Sequence, residues 1–220
     1  MRTTLSTGTE AELAHPARGA SDMGLVVMPD VWGLRPLYDD MCQRLADAWS
    51  MSVCAVDPFP GMTGLGDDLD GRWRALNDVD DDARFADFLA AADATGHERV
   101  GAIGFCLGGM YTLKAAALDR FVRLVSFYGM IRVPTSGKGA GHGEPLELIV
   151  AGHPERLLAI IGDRDPYTPP EDVAALEALG VRTVHYPDAE HGFVHDPDRP
   201  AHRADDAADA WQRCKSWLRG

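Results

Sequence analysis

Short, continuous apolar segments alternate with helical patterns along most of this chain, and this order restricts its fold more than any other feature. An apolar run without polar alternation is typical of a strand buried on both faces, as in a parallel sheet. Such runs predict six strands, at residues 24–29, 52–58, 99–104, 124–128, 156–161 and 181–186. Apolar residues at helical spacing predict five helices, at residues 37–48, 82–95, 107–118, 169–179 and 204–218. The alternation predicts an α/β fold with a mostly parallel central sheet, right-handed crossovers and helices on both faces.

The length of the chain, 220 residues, suits one sizeable core better than two, so residues 1–220 are predicted to form a single domain. Residues 1–21 have no clear period, and the sequence leaves open whether they form a flexible arm or an edge strand. Residues 57–81 are rich in Gly, Pro and Asp. A loop of this length inside a compact domain is usually functional or mobile. A second, Gly-rich loop is predicted at residues 135–143.

Acidic residues outnumber basic residues by 34 to 21, which gives a formal net charge of −13. A surface of this sign repels phosphate backbones and anionic membranes, so neither nucleic acid nor a membrane is an expected partner. The N-terminal residues lack the apolar core of a secretory signal, and no run approaches the roughly 18 apolar residues of a membrane helix. The four cysteines form no C-x-x-C pair, which predicts reduced thiols. These features together predict a cytoplasmic protein.

The segment at residues 104–109 reads Gly-Phe-Cys-Leu-Gly-Gly and joins a predicted strand to the following helix. It matches the G-x-S-x-G nucleophile elbow with Cys106 in place of serine. The turn in such an elbow is so tight that side chains two residues to either side would clash, and glycines at 104 and 108 remove the clashes. The turn also directs Cys106 at the helix N-terminus, where free N–H groups favour a thiolate and an oxyanion. The Leu107 N–H is the expected first oxyanion donor.

Other interpretations of Cys106 remain open at this point. A buried structural thiol in a Gly-rich strand-to-helix turn fits G-x-C-x-G about equally well. A phosphate-binding loop fits less well, because neither G-x-G-x-x-G nor G-K-[ST] is present at this turn.

Polar residues that follow two later strands favour the nucleophile. Active sites of open parallel sheets form beyond the carboxyl ends of the strands. His191 follows the strand at 181–186 and precedes the last helix, so it could serve as a general base. Asp163 and Asp165 follow the strand at 156–161, and either could orient the imidazole. The order nucleophile, acid, histidine is that of the α/β-hydrolase fold, which is therefore the predicted architecture.

Four motifs in this order resemble the dienelactone hydrolase family. They are Pro-Asp-Val-Trp-Gly-Leu at 29–34, the elbow at 104–109, Gly-Asp-Arg-Asp at 162–165 and Glu-His-Gly-Phe at 190–193, with Val-Asp-Pro at 56–58 as further support. The resemblance covers the chain from about Leu25 onward. It implies a catalytic triad of Cys106, Asp165 and His191, because the family pattern G-x-x-D selects the second aspartate.

The resemblance also implies roles for Asp30 and Val31, in the loop after the first predicted strand. Similar enzymes carry a glutamate at the position of Asp30, which holds the resting thiol neutral and helps to activate it when substrate arrives. The N–H of the next residue, Val31, would complete the oxyanion hole. Asp30 is about one methylene shorter than glutamate, so the same hydrogen bond would need a shifted backbone or a water. A helix-capping role for Asp30 is the alternative.

The position of His195 departs from the family pattern. Lactone-cleaving members carry an arginine four residues after the histidine, which grips the substrate carboxylate, and a neutral histidine is a weaker anchor. Arg72 or Arg74 could substitute for it, although both could equally pair with aspartates 67, 68 and 70. His195, Arg72 and Trp32 are therefore the candidate substrate-binding residues.

The predicted function is hydrolysis of a small ester or lactone, similar to a dienelactone, through an acyl-cysteine intermediate. The triad chemistry requires no metal and no organic cofactor. Two alternatives remain: a carboxylesterase or thioesterase of broad specificity at the same site, and a catalytically silent binding protein with the same fold. The expected partner is a small-molecule substrate, and the expected assembly is a monomer or a small homo-oligomer.

Overall fold

The central element of the protein is one eight-stranded sheet. The computed structural model describes residues 1–62, 65–66 and 68–220. The strands are β1 (Arg2–Thr4), β2 (Glu10–Ala14), β3 (Met23–Met28), β4 (Met51–Val56), β5 (Val100–Phe105), β6 (Phe121–Phe127), β7 (Leu157–Gly162) and β8 (Arg182–Tyr186). Their order across the sheet is β1-β2-β4-β3-β5-β6-β7-β8. The strands from β4 to β8 in this order pair in parallel, while β1 and β2 are antiparallel at one edge.

Helices cover both faces of the sheet. They are α1 (Pro36–Trp49), α2 (Leu69–Ala75), α3 (Asp81–Ala94), α4 (Leu107–Lys114), α5 (Pro145–Ala151), α6 (Pro170–Ala178) and α7 (Ala204–Arg219). Successive side chains of a strand point to opposite faces. Accordingly Val26 packs in one apolar core with α3 and α4, whereas its neighbour Val27 packs in a second core with α1 and α7. The predicted α/β architecture, with a mostly parallel sheet between two helical layers, is confirmed.

The six strands predicted from the apolar runs are all present, with bounds that shift by a few residues. Residues 1–21, which the sequence left undecided, contain the edge hairpin β1–β2. Two short helices were not predicted: α2 lies in the segment predicted as a loop at 57–81, and α5 lies in a segment for which no element was predicted. Each has only seven residues, and α2 has no buried residue, so an apolar period could not reveal it. Within the described residues, no helix has the length and hydropathy needed to span a membrane.

Candidate active site

Cys106 lies in a tight turn between the end of β5 and the first residue of α4. Its backbone angles are φ 55° and ψ −113°, a region that a non-glycine residue occupies only when the surroundings impose it. The neighbouring glycines make the turn possible. A Cβ on Gly104 would lie 2.1 Å from the Gly108 carbonyl oxygen, and a Cβ on Gly108 would lie 1.9 Å from the Met28 carbonyl oxygen. The backbone geometry is that of a nucleophile elbow, as the sequence predicted.

The Cys106 side chain lies at the N-terminus of α4 and lines a small cavity of about 90 Å³. The residue is only 7% exposed, so its sulfur meets solvent through this cavity alone. Leu107 is the first residue of α4, and its N–H has no acceptor within the helix. The position therefore combines a free amide with the positive end of a helix dipole beside the thiol.

His191 lines the same cavity and is held from behind by Asp165. The distance between His191 Nδ1 and Asp165 Oδ2 is 2.7 Å, and the Asp165 side chain is fully buried. The other oxygen of Asp165 accepts the Tyr167 N–H at 2.8 Å. Asp163 points elsewhere: its carboxylate is half-exposed and contacts His185 Nδ1 at 2.6 Å. The tertiary structure thus pairs His191 with Asp165, and not with Asp163.

The charge state of His191 follows from its two neighbours. Burial lowers the pKa of His191, but its interactions with Cys106 and Asp165 outweigh burial and raise that pKa to about 10. The Nε2 atom has no hydrogen-bond partner among the described residues. The two neighbours therefore favour the protonated form of the imidazole and leave Nε2 available on the cavity side.

Val31 lies in the loop after β3, against the same cavity as Cys106. The next two amides in this loop are used within it: the Trp32 N–H donates to the Asp30 carboxylate and the Gly33 N–H to the Asp30 carbonyl, both at 3.0 Å. The Val31 N–H has no acceptor among the described residues. Two backbone N–H groups without an acceptor are therefore available, that of Val31 at the cavity and that of Leu107 directly after Cys106.

Asp30 lines the cavity with Cys106, but none of its hydrogen bonds among the described residues goes to the thiol. The carboxylate is 1% exposed and receives four hydrogen bonds, two on each oxygen. Its Oδ1 accepts from Trp32 N and from Arg35 Nη1, and its Oδ2 accepts from Arg35 Nη2 and from His195 Nε2. A carboxylate has about four acceptor positions, so none is left for a Cys106 S–H. Burial opposes ionisation, yet the hydrogen bonds from His195 and Arg35 lower the pKa of Asp30 to about 2.

His195, predicted as a substrate-binding residue, has its ring turned toward other protein groups in this structure. The side chain is fully buried and does not line the cavity. Its Nε2 lies 2.8 Å from Asp30 Oδ2, and its Nδ1 lies 2.5 Å from the Tyr128 hydroxyl. His195 is therefore a hydrogen-bond partner of Asp30. The sequence pattern could not reveal this contact, because the two residues are 165 positions apart.

Arg72 and Trp32 contact each other, but only Trp32 lines the cavity beside Cys106. The Arg72 guanidinium lies 5.3 Å from the Trp32 ring centroid and donates to the Val31 carbonyl at 3.0 Å. Arg72 therefore supports the loop that carries Val31 and makes no contribution to the lining of the cavity. Arg74 is exposed and lies 3.5 Å from Asp68. Asp67, another of its predicted partners, lies outside the described residues.

Four residues that line the cavity were not identified from the sequence: Leu69, Trp73, Tyr167 and Arg199. The first two belong to α2, which has no readable period. Arg199 brings a guanidinium to this cavity and packs against Gly192, where a Cβ would lie 2.8 Å from Nη1. No ion pair or side-chain hydrogen bond joins Arg199 to another described residue. Among the described residues, no group of three or more His, Cys, Asp and Glu side chains is arranged to bind a metal ion.

The chain resembles known proteins over nearly its whole length. The model of the "Dienelactone hydrolase family" matches residues 9–220. A Bradyrhizobium protein named as a probable 2-oxo-3-(5-oxofuran-2-ylidene)propanoate lactonase is 28% identical, over 98% of this chain and 92% of its own. A carboxymethylenebutenolidase of Rhodococcus opacus is 27% identical, over 88% of this chain and 81% of its own. The crystal structure of a Klebsiella pneumoniae protein assigned as a dienelactone hydrolase superposes with a TM-score of 0.84 at 25% identity, covering 100% and 97% of the two chains. The chain therefore belongs to the dienelactone hydrolase family and is a hydrolase of ester bonds.

Proposed function

We propose that this protein hydrolyses a small ester or lactone through an acyl-cysteine intermediate, with Cys106 as nucleophile, His191 as proton carrier and Asp165 as the acid that orients His191. The observation that carries the proposal is the arrangement at the cavity. Cys106 and His191 line it together, and Asp165 lies 2.7 Å behind the imidazole. Nucleophile, base and orienting acid in this relation are the general signature of covalent acyl transfer.

The reaction begins with attack of the Cys106 sulfur on the carbonyl carbon of the ester. The carbonyl electrons move to oxygen, and the oxyanion accepts the N–H groups of Val31 and Leu107. Collapse of this intermediate breaks the bond to the alkoxide, which takes the proton from His191. Water then attacks the acyl-cysteine while His191 accepts its proton, and the second collapse releases the acid and the thiolate. One oxyanion donor typically contributes about 100- to 1000-fold in rate.

His191 takes the proton of the Cys106 thiol in this proposal and holds it for the alkoxide. The raised pKa of His191, about 10, suits a group that must carry this proton. Asp30 has no direct part, because its four hydrogen bonds come from Trp32, Arg35 and His195. This differs from the carboxylate-assisted activation that the family resemblance implies.

The cavity favours a small, flat acyl group with an anionic end. Its walls include Trp32, Trp73 and Tyr167, and its volume of about 90 Å³ excludes a bulky acyl chain. Arg199 supplies a guanidinium at the same cavity, and guanidinium binds carboxylates bidentately. The relatives named for lactone hydrolysis point in the same direction. We therefore place a lactone that carries a carboxylate first among candidate substrates.

Replacement of Cys106 by alanine tests the nucleophile. With 4-nitrophenyl acetate and a panel of acidic lactones, we expect Cys106→Ala to lose at least about 1000-fold in kcat/KM, in the range reported for removal of a nucleophile. Cys214→Ala, which changes a buried thiol in α7 far from the cavity, is the matched control and should retain activity. Mass spectrometry of acid-quenched wild-type enzyme should show one acyl group on Cys106. Retention of activity in Cys106→Ala would refute the assignment.

A comparison of substrates tests the proposed specificity. Faster turnover of acidic lactones than of neutral aryl esters and thioesters supports the lactone assignment. The reverse order would favour the alternative, a carboxylesterase or thioesterase of broad specificity at the same site.

A further inference from the structure

Four side chains form a continuous chain of hydrogen bonds next to the cavity, which we call the Asp30 clamp: Arg35, Asp30, His195 and Tyr128. Arg35 donates to both oxygens of Asp30, at 2.6 and 3.0 Å. His195 Nε2 lies 2.8 Å from Asp30 Oδ2, and His195 Nδ1 lies 2.5 Å from the Tyr128 hydroxyl. Asp30, His195 and Tyr128 are each at most 2% exposed.

Only one arrangement of protons satisfies this chain. Asp30 is ionised and can only accept, so His195 Nε2 carries the proton and donates it to Oδ2. Burial lowers the pKa of His195 in spite of Asp30, so the ring is neutral and Nδ1 is an acceptor. Burial raises the pKa of the Tyr128 hydroxyl, which keeps its proton and donates it to Nδ1. The tautomer of His195 is therefore fixed by partners on both sides.

The Asp30 clamp joins three strand ends that each contribute to the site. Asp30 precedes Val31 in the loop after β3, and His195 shares the loop after β8 with His191. Tyr128 follows β6 with a strained φ of 41°, and its ring packs edge-on against His191 at 5.2 Å between centroids. Strands β3 and β8 are separated by β5, β6 and β7 in the sheet, so no backbone pairing fixes one loop relative to the other.

We propose that His195 is a positioning residue: through Asp30 and Tyr128 it holds the Val31 amide and the His191 imidazole in one fixed relation to Cys106. This inference rests on the proposed function, because it assigns a partner to the oxyanion donor and to the proton carrier of that mechanism. His195 itself touches neither substrate nor the reacting atoms. Without it, the Val31 loop and the His191 loop would lose their buried hydrogen-bonded link and retain the longer Arg35–Asp196 ion pair, at 3.8 Å. Small displacements of catalytic groups typically reduce rates by about 100-fold.

A series at position 195 tests the proposal with 4-nitrophenyl acetate as probe. His195→Leu removes both hydrogen bonds, and we expect kcat to fall by about 10- to 100-fold while KM changes less than about threefold. His195→Gln retains an N–H that can reach Asp30, and we expect it to recover most of the lost kcat. Tyr128→Phe removes only the hydroxyl and should give an intermediate kcat. His185→Gln is the matched control, since His185 also contacts a carboxylate but lies on the exposed side of β8.

Thermal unfolding of each variant separates positioning from a merely structural role. If kcat follows the hydrogen-bond pattern of the variants while Tm does not, positioning is supported. Two results would overturn the proposal. One is a folded His195→Leu variant with the kcat of the wild type. The other is a kcat in His195→Gln and Tyr128→Phe that changes only in proportion to Tm. Should His195→Leu not fold, the other two variants decide alone. The outcome is distinct from that of the proposed function, since full activity in Cys106→Ala refutes the nucleophile whatever the His195 series shows.

Discussion

Replacement of Arg35 by methionine should destabilise the protein by about 2–4 kcal/mol at pH 7. The Arg35 guanidinium supplies two of the four hydrogen bonds on the Asp30 carboxylate, and that carboxylate is 1% exposed. Loss of one partner of a buried ion pair typically destabilises by about 3–5 kcal/mol, because the remaining charge is left uncompensated. The lower end applies here, since Arg35 is itself 25% exposed and His195 and Trp32 still donate to Asp30.

The loss should shrink as the pH falls. In the wild type the pKa of Asp30 is lowered from 3.8 to about 2. Each pKa unit corresponds to about 1.4 kcal/mol, so the ionised carboxylate contributes about 2 kcal/mol above pH 4, and this contribution disappears as the pH falls toward 2. In Arg35→Met the burial of Asp30 opposes ionisation with less compensation, so its pKa rises. Asp30 is then protonated at a higher pH in the variant than in the wild type, which removes the cost of the uncompensated charge. The free energies of unfolding of the two proteins therefore converge in acid.

Urea unfolding monitored by tryptophan fluorescence at pH 7 and pH 4.5 measures both effects. The matched control is Arg44→Met on the same helix, α1, where an exposed arginine lies 2.6 Å from Asp40. Exposed pairs contribute little, so the control should lose less than about 1 kcal/mol at either pH. The reasoning is refuted if the two variants lose equal stability, or if the loss in Arg35→Met grows as the pH falls.

Three further predictions concern the cavity. Asp165→Asn removes one cause of the raised His191 pKa, so the alkaline limb of the pH profile of kcat/KM should move to lower pH. Asp163→Asn should leave that limb in place. A shift in Asp163→Asn alone would contradict the pairing of His191 with Asp165. Gly108→Ala places a Cβ 1.9 Å from a main-chain oxygen, so unfolding experiments should show a loss of at least about 3 kcal/mol, and near-wild-type stability would contradict the elbow geometry. Arg199→Met should raise KM for an acidic lactone by about tenfold and change KM for 4-nitrophenyl acetate by less than about twofold; equal effects on both would argue against an anion contact.

Much of the scaffold could be predicted because its determinants are local. Buried strands have continuous apolar runs, helices have a 3.6-residue period, and both are visible within a window of ten residues. The elbow is local too, since the clashes that require Gly104 and Gly108 arise within one turn and from the strand beside it. His191 could be found by its place between the last strand and the last helix. The short helix α2 could not be predicted, because it buries no residue and so has no apolar period.

The partners of the charged side chains are what only the tertiary structure decided. The residue types at 30 and 195 suggest a thiol-modulating carboxylate and a substrate contact, yet the folded chain places them 2.8 Å apart and joins both to Arg35 and Tyr128. Arg199 enters the cavity only because Gly192 leaves space for its guanidinium. The sequence at the end of a strand does not indicate which other strand end will lie beside it. The order of strands in the sheet decides which strand ends are neighbours, and the hydrogen bonds available there decide which carboxylate pairs with which histidine.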